Sequence, residues 1–295
     1  MTTQGVVLGG GGQVARELQQ TQPKAWNVRY LTRDTLDITR TAQLDLALAE
    51  QNVAWVINAA AYTAVDRAEE QAELAERVNG EAPGALAACC QRHGIRLLHL
   101  STDFVFDGRQ GTPYRPDDAT NPLSVYGRSK RLGEEAVLAA HPSAVVLRTS
   151  WVYSRHGSNF VKTMLRLMAE RDQLAVVEDQ VGSPTWARGL AEACWGFLRQ
   201  PTAGGIFHWS DAGVCSWFDF AVAIRELAMD LGLLQRAAAI APIPTEAYPT
   251  PAVRPAYSVL DKSASRDLLG RPGIHWREQL RAMLIDLMEE EEKSP

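Results

Sequence analysis

GVVLGGGGQVAREL, residues 5–18, joins a short apolar run to four glycines and then to a helical pattern. A strand, a glycine turn and a helix in that order surround an anion such as pyrophosphate with main-chain N–H groups and the positive end of the helix. Gly9 and Gly12 give a G-x-x-G spacing, followed by Gln13 and Val14. Ala15 stands where a fuller dinucleotide fingerprint has a further glycine. A glycine-rich turn alone is a weak signal, because such turns commonly follow a first strand. Opening a strand–helix series, this one points to nucleotide binding.

Beyond this turn, apolar runs alternate with helical patterns. WNVRYLT (26–32), VAWVINAAA (53–61), IRLLHLST (95–102) and SAVVLRTSWVY (143–153) read as strands. Helices are expected from Gln13, over LDLALAEQ (44–51), and at 64–78, 81–93 and 126–140. Apolar strands alternating with helices predict a parallel sheet covered on both faces, an α/β fold of the Rossmann-type doubly wound kind. Ligands in such sheets sit at the carboxyl ends of the strands. The second half is less regular, with helices expected at 158–172, 185–200, 215–232 and 276–290. APIPTEAYPTPAVRP (241–255) reads as an extended loop. These patterns predict a nucleotide-binding domain over residues 1–153, to which the chain returns near 185–209. A smaller α/β substrate-binding lobe is expected from 154–184 and 210–295.

Composition narrows the partners. With 295 residues and 46% hydrophobic content, the chain can bury a real core. A net charge of −5 argues against a nucleic-acid surface or a basic membrane patch. No apolar run approaches the roughly 18–20 residues that span a bilayer, and the start of the sequence lacks the basic n-region of a signal peptide. Cys89, Cys90, Cys194 and Cys215 have spacings that suit neither a zinc site nor a disulfide framework. Buried thiols in a reducing cytoplasm are the expectation. The acidic tail MEEEEKSP (288–295) is expected to be solvated and frayed.

The chemistry-bearing residues fall at strand ends. Thr32 and Arg33 form the tip after the second strand, with Asp34 and Asp37 close behind. An acidic residue at this tip would hold a ribose 2′-hydroxyl, whereas an arginine suits a 2′-phosphate. Arg33 therefore favours NADPH, with NADH the alternative and a solvated loop charge the plain one. Ala59–Ala61 let a cofactor lie against the backbone, with Tyr62, Thr63 and Val65 at the mouth; small residues packed under a helix serve equally. Ser101 and Thr102 end the next strand, where a hydroxyl can meet a substrate carbonyl or merely terminate the strand. Tyr126 and Lys130 lie four apart and share a helix face. A nearby ammonium lowers a tyrosine's pKa and lets it act as an acid or base. Roughly 0.1 such pairs are expected by chance in this composition.

GGGGQV (9–14), VINAAAYTAVDRAE (56–69), STDFVFDG (101–108), PLSVYGRSKRLGEE (122–135), LRTSWVYSRHGSNFVKTML (147–165), DQVGSPT (179–185) and AYPTPAVRP (247–255) occur in an order that resembles the extended short-chain dehydrogenase/reductase superfamily. Within it, they are most similar to the dTDP-4-dehydrorhamnose reductase family. The resemblance implies an NADPH-dependent reductase of a sugar-nucleotide ketone. It makes Tyr126 the acid, Lys130 its partner and ribose ligand, and Thr102 the hydroxyl that polarises the ketone. Thr102, Asp103 and Trp151 become substrate contacts, with Trp151 an apolar wall. Gly9, Gly12, Gln13, Val14, Arg33, Asp37, Ile38, Ala61, Tyr62, Thr63, Tyr126 and Lys130 become cofactor contacts.

There are departures. The family often has Asn where Tyr257 stands and Arg where Val259 stands. Some members bind Mg²⁺ through glutamates at a dimer interface, but no carboxylates group at ligand spacing here and the helix near Arg188 carries a base. No metal is expected, and the protein is expected in the cytoplasm as a monomer or homodimer. The alternatives are another deoxysugar reductase or epimerase on the same fold, or a non-catalytic NADP-binding regulatory subunit. Epimerases of the superfamily tend to carry S-S-x-x-V-Y-G, from which STDFVFDG differs at Thr102-Asp103.

Overall fold

Alternation along the first strand sorts its side chains between two helical layers. In a computed structural model, which describes residues 3–49 and 53–293, the described first half forms β1 (Thr3–Leu8), α1 (Gln13–Gln20), β2 (Trp26–Leu31), α2 (Thr41–Ala49), β3 (Trp55–Asn58), α3 (Val65–Ala68), α4 (Ala72–Glu76), α5 (Ala82–Arg92), β4 (Arg96–Thr102), α6 (Val125–Ala140) and β5 (Val145–Thr149). The second half adds β6 (Val152–Tyr153), α7 (Phe160–Glu170), β7 (Gln173–Val177), β8 (Val181–Gly182), β9 (Thr185–Trp186), α8 (Ala187–Leu198), β10 (Gly205–His208), β11 (Cys215–Ser216), α9 (Trp217–Asp230), β12 (Ala239–Ile243), α10 (Ser263–Leu269) and α11 (Trp276–Lys293). Expectations at Met1–Thr2, at the Glu50–Gln51 end of the second helix and at Ser294–Pro295 lie outside the described residues.

The central sheet has the order β10-β5-β4-β3-β1-β2, and its ladders are parallel. Val6 and Leu8 of β1 pack with Leu44, Leu48, Leu86, Cys90 and Val137, beneath α2, α5 and α6. Val7, between them, packs with Leu18, Leu190 and Trp195 on the opposite face, beneath α1 and α8. Burial on both faces is why these strands are apolar throughout. The chain leaves β1 for β2 on one side and crosses to β3 on the other, so the crevice between β1 and β3 is a topological switch point.

A separate core fills the second half, where Leu280, Met283, Leu284 and Leu287 give α11 one apolar stripe against Phe220, Ile224 and Met164. The expected loop 241–255 begins as strand, since β12 pairs in parallel with β7. Pro242 lies in that strand, which has a neighbour on one side only, where a missing N–H is tolerated. The expected helix 64–78 is broken into α3 and α4 and then widens into a π turn at Arg77–Glu81. The acidic tail is helical through Lys293 rather than frayed from residue 288. The four cysteines are buried and unbridged, and no helix among the described residues is long and apolar enough to cross a membrane.

Below the carboxyl end of the sheet, Arg148 of β5 meets Glu134 of α6 at 2.7 Å, both almost fully buried. Ser101 also donates to Glu134, and Arg148 donates on to Pro116 O at 3.2 Å.

Candidate active site

Between β1 and α1 the chain turns on Gly9, whose φ is 81°; a Cβ there would sit 2.7 Å from Ala60 N. Only glycine meets both conditions without strain. α1 starts from Gly12 with no side chain capping its first turn, so the N–H groups of that turn are presented to an anion. A cleft of about 1040 Å³ runs from this turn across the carboxyl ends of β3, β4 and β5. Gly9, Gly12, Gln13 and Val14 border it at the turn, Arg33, Asp37 and Ile38 beyond β2, and Ala61, Tyr62 and Thr63 beyond β3. Thr102 and Asp103 border it at the end of β4, Tyr126 and Lys130 on α6, and Trp151 after β5. Tyr257 and Val259 do not line it: Tyr257 leans on Tyr114 and Val259 is buried.

The helix that carries Tyr126 is fixed twice at its N-terminus. Ser124 caps it by accepting from Gly127 N at 3.1 Å, and Val125 N donates to Glu69 Oε1 at 2.8 Å. Further along, Gly133 lets α6 settle on the π turn, where Asn79 sits. Asn79 accepts from Tyr62 N at 2.8 Å and donates to Tyr62 O at 2.9 Å and to Ser129 Oγ at 3.0 Å. One buried amide thereby holds the strand-end segment and the Tyr126 helix together. A Cβ at Gly133 would lie 2.0 Å from Asn79 O, so Gly133→Ala must push α6 away. We expect it to destabilise by about 1–3 kcal/mol and to lower the calorimetric Tm by roughly 2–4 °C per kcal/mol; an unchanged Tm would mean that the contact is slack.

Tyr126 is packed edge-on against Phe104, with centroids 5.6 Å apart. Burial pushes its phenol up to about 12; the nearby Thr102 hydroxyl pulls the other way and the Asp103 carboxylate adds to the rise. The sequence suggests a phenol lowered by Lys130, and the structure differs. Helical spacing puts both residues on one face, but the Lys130 ammonium turns inward and donates to Leu100 O at 2.7 Å. Thr102 Oγ1 donates to Asp103 Oδ1 at 3.0 Å and accepts from Phe104 N at 3.2 Å. Asp103 is 1% exposed, and burial raises its carboxyl to about 6 against the opposing pull of the Ser258 hydroxyl and of the hydrogen bond from Thr102. Its Oδ2 has no partner. A buried acceptor of this kind, bordering the cleft, is suited to a hydroxyl of a bound molecule.

Trp151 has a φ of 46°, the single positive φ among the described non-glycine residues. Its ring lies flat on Trp217 of α9, with centroids 3.5 Å apart and an interplanar angle of 6°. Trp217 borders the cleft too, as do Thr149, Ser150 and Arg254; none of these four was singled out from the sequence. Thr149 could have been, because it ends β5 as Thr102 ends β4 and pairs with it in register; its buried Oγ1 has no partner. Trp217 and Arg254 carry no local signal. Arg254 reaches back from the proline-rich segment to Asp66 of α3 at 2.8 Å and itself borders the cleft.

At the far end of the cleft Arg33 lies 3.8 Å from Asp37 and is largely exposed. The Thr39 N–H and hydroxyl hold the Asp37 carboxyl below its usual range. Arg29 and Arg40 line an adjoining pocket with Arg33, beside Asp34 and Asp37. Elsewhere, Asp45, Cys89 and His93 bring ligand-type atoms together. Arg92 donates to both Asp45 oxygens, and burial first, then Asp45, keeps the Cys89 thiol protonated up to about 12. The group is knit by its own hydrogen bonds.

The family described as RmlD substrate binding domain matches residues 3–289. A dTDP-4-dehydrorhamnose reductase from Burkholderia thailandensis is 42% identical over 293 residues, covering 96% of this chain and 98% of that one. A dTDP-4-keto-6-deoxy-D-glucose reductase from Streptomyces niveus is 37% identical over 283 residues, covering 94% of each. The crystal structure of a dTDP-4-dehydrorhamnose reductase from Bacillus anthracis in complex with NADP matches with a TM-score of 0.91 at 34% identity, over 97% of this chain and 100% of that one.

Proposed function

The chain belongs to the RmlD family of dTDP-4-dehydrorhamnose reductases, and from that premise we propose that it reduces the C4 ketone of dTDP-4-dehydro-L-rhamnose with NADPH, giving dTDP-L-rhamnose. The observation that carries this reading is the Tyr126 phenol, held in its protonated form and bordering the same cleft as Thr102, Lys130 and the uncapped first turn of α1. The glycine turn fits a pyrophosphate: the Gly9–Ala60 approach leaves no room for a side chain, and the first turn of α1 offers its N–H groups. NADPH, when bound, supplies the hydride.

The protein's own residues do the rest. Gly12, Gln13 and Val14 hold the pyrophosphate, and Asp37 and Ile38 border the adenosine. Ala61, Tyr62 and Thr63 keep the cofactor against the strand ends, and Lys130 holds the nicotinamide ribose. Arg33 faces the 2′-phosphate, which favours NADPH over NADH. Thr102, turning its one O–H away from Asp103 Oδ1, donates toward the ketone oxygen, and Tyr126 delivers the proton that turns it into a hydroxyl. Asp103 Oδ2 accepts from a sugar hydroxyl, and Trp151 with Trp217 walls the deoxysugar. Residues 1–153 with the return at 185–209 form the cofactor domain, and 154–184 with 210–295 the substrate lobe. The enzyme works in the cytoplasm, as a monomer or homodimer, without metal or nucleic acid.

The test pairs each reduced cofactor with dTDP-4-dehydro-L-rhamnose and follows loss of the reduced-nicotinamide absorbance. We expect turnover with both, faster with NADPH, and a weaker preference in Arg33→Ala. The similarity to the Streptomyces niveus enzyme favours a second reading, a reductase for another dTDP-4-keto-6-deoxyhexose. Turnover of that sugar but not of the rhamnose precursor would replace the first reading with the second. No cofactor consumption with either would leave the regulatory-subunit alternative standing.

A further inference from the structure

Lys130 has a second neighbour beneath the cleft. Its Nζ lies 3.5 Å from His99 Nε2, and the two side chains are 2% and 0% exposed. On the other side of the imidazole, Asn58 Nδ2 lies 3.0 Å from His99 Nδ1. Asn58 Oδ1 in turn accepts from Ala60 N at 3.2 Å. The direction of this chain follows from its first link. A main-chain N–H can only donate, so the Asn58 oxygen faces Ala60 and its NH₂ faces the ring. His99 must then accept at Nδ1, and a neutral imidazole that accepts at one nitrogen carries its proton on the other. His99 therefore turns an N–H toward Lys130. An ammonium has only donors to offer and is opposed there, whereas a neutral amine finds a hydrogen bond.

We propose that His99 is a positioning residue that acts through Lys130, setting the pH at which Lys130 gives up its charge and with it the upper pH limit of turnover. This rests on the reading of Lys130 as part of the reducing site. The titratable groups that face Lys130 are His99 from β4 and Glu134 from its own helix. Glu134 favours the ammonium, but its oxygens are engaged by Arg148 from β5 and Ser101 from β4. Asp103, at the end of β4, acts on Tyr126. Burial works in the same direction as His99 and brings Lys130 down to about 8. His99 is itself held well below the usual imidazole range by burial and by Lys130, so it is neutral, as the chain requires. Tyr126 keeps its proton up to about 12, which leaves an alkaline limb near 8 to the lysine.

The test uses full-length protein labelled with ¹³C at the lysine ε-carbons, the Lys130 resonance being assigned by its loss in Lys130→Met. We expect that resonance to titrate near about 8 in the wild type, and kcat/KM to fall over the same range. His99→Leu removes the opposing N–H. Asn58→Asp keeps the shape but reverses the chain, so that the ring donates at Nδ1 and accepts at Nε2. In both, the resonance and the alkaline limb should move up by roughly one pH unit or more. A wild-type midpoint at the ordinary lysine value overturns the proposal, as does a limb and resonance unmoved in the folded variants. If Lys130→Met keeps full turnover, the reading of the reducing site fails instead, and the resonance still decides whether His99 controls the lysine.

Discussion

Tyr126→Phe should lower kcat by about 10²-fold or more, on the scale of a lost general acid, while cofactor affinity stays close to the wild-type value. The substitution removes one oxygen and keeps the ring, so the edge-on packing against Phe104 survives. What is lost is the acidic proton beside Thr102. A phenol held up to about 12 by burial carries its proton throughout the neutral range, which is the form that ketone reduction requires. Two measurements separate the roles: steady-state kcat for the chemistry, and quenching of protein fluorescence by NADPH for the cofactor. Turnover within a few-fold of wild type would remove Tyr126 from the role of acid. Equal losses in kcat and in NADPH affinity would make it a cofactor ligand first.

The second large effect is on stability. Arg148→Met leaves the Glu134 carboxylate buried without its cation, and removing one partner of such a pair destabilises by about 3–5 kcal/mol. The two groups are 2% and 3% exposed, and Arg148 reaches Glu134 through both Nε and Nη2. Ser101 alone cannot replace a guanidinium. At roughly 2–4 °C per kcal/mol for a chain of this order of size, the Tm should fall by roughly 6–20 °C. The double variant Arg148→Met with Glu134→Leu should recover most of that loss, because the penalty lies in the orphaned charge. If the single variant melts within about 2 °C of wild type, water reaches the pair and it is not sealed.

The strand ends are legible in the sequence because a strand buried on both faces must be apolar and must stop where polar residues begin. Thr102, Ala61 and Gly9 are found that way, and they stand along one cleft. The segment 64–93 is harder. A π turn adds one residue to a helical turn, and after it the apolar positions fall out of step with those before it, so no single period spans α4 and α5. The direction of Lys130 is also hidden. Spacing of four residues fixes a shared face, but a flexible four-carbon side chain chooses between the phenol and a main-chain carbonyl only in three dimensions. Trp217 is invisible for a different reason: its meeting with Trp151 joins two positions 66 residues apart in the chain, and nothing local to either residue announces it.

Two contacts made by residues that border the cleft differ in kind. Arg254 and Asp66 are 24% and 41% exposed and meet as charges, so dissolved ions weaken their attraction. Trp151 and Trp217 meet as stacked rings, held by dispersion and exclusion of water, which moderate ionic strength leaves almost untouched. One contact beside the cleft therefore loosens as salt is added while the other keeps its grip.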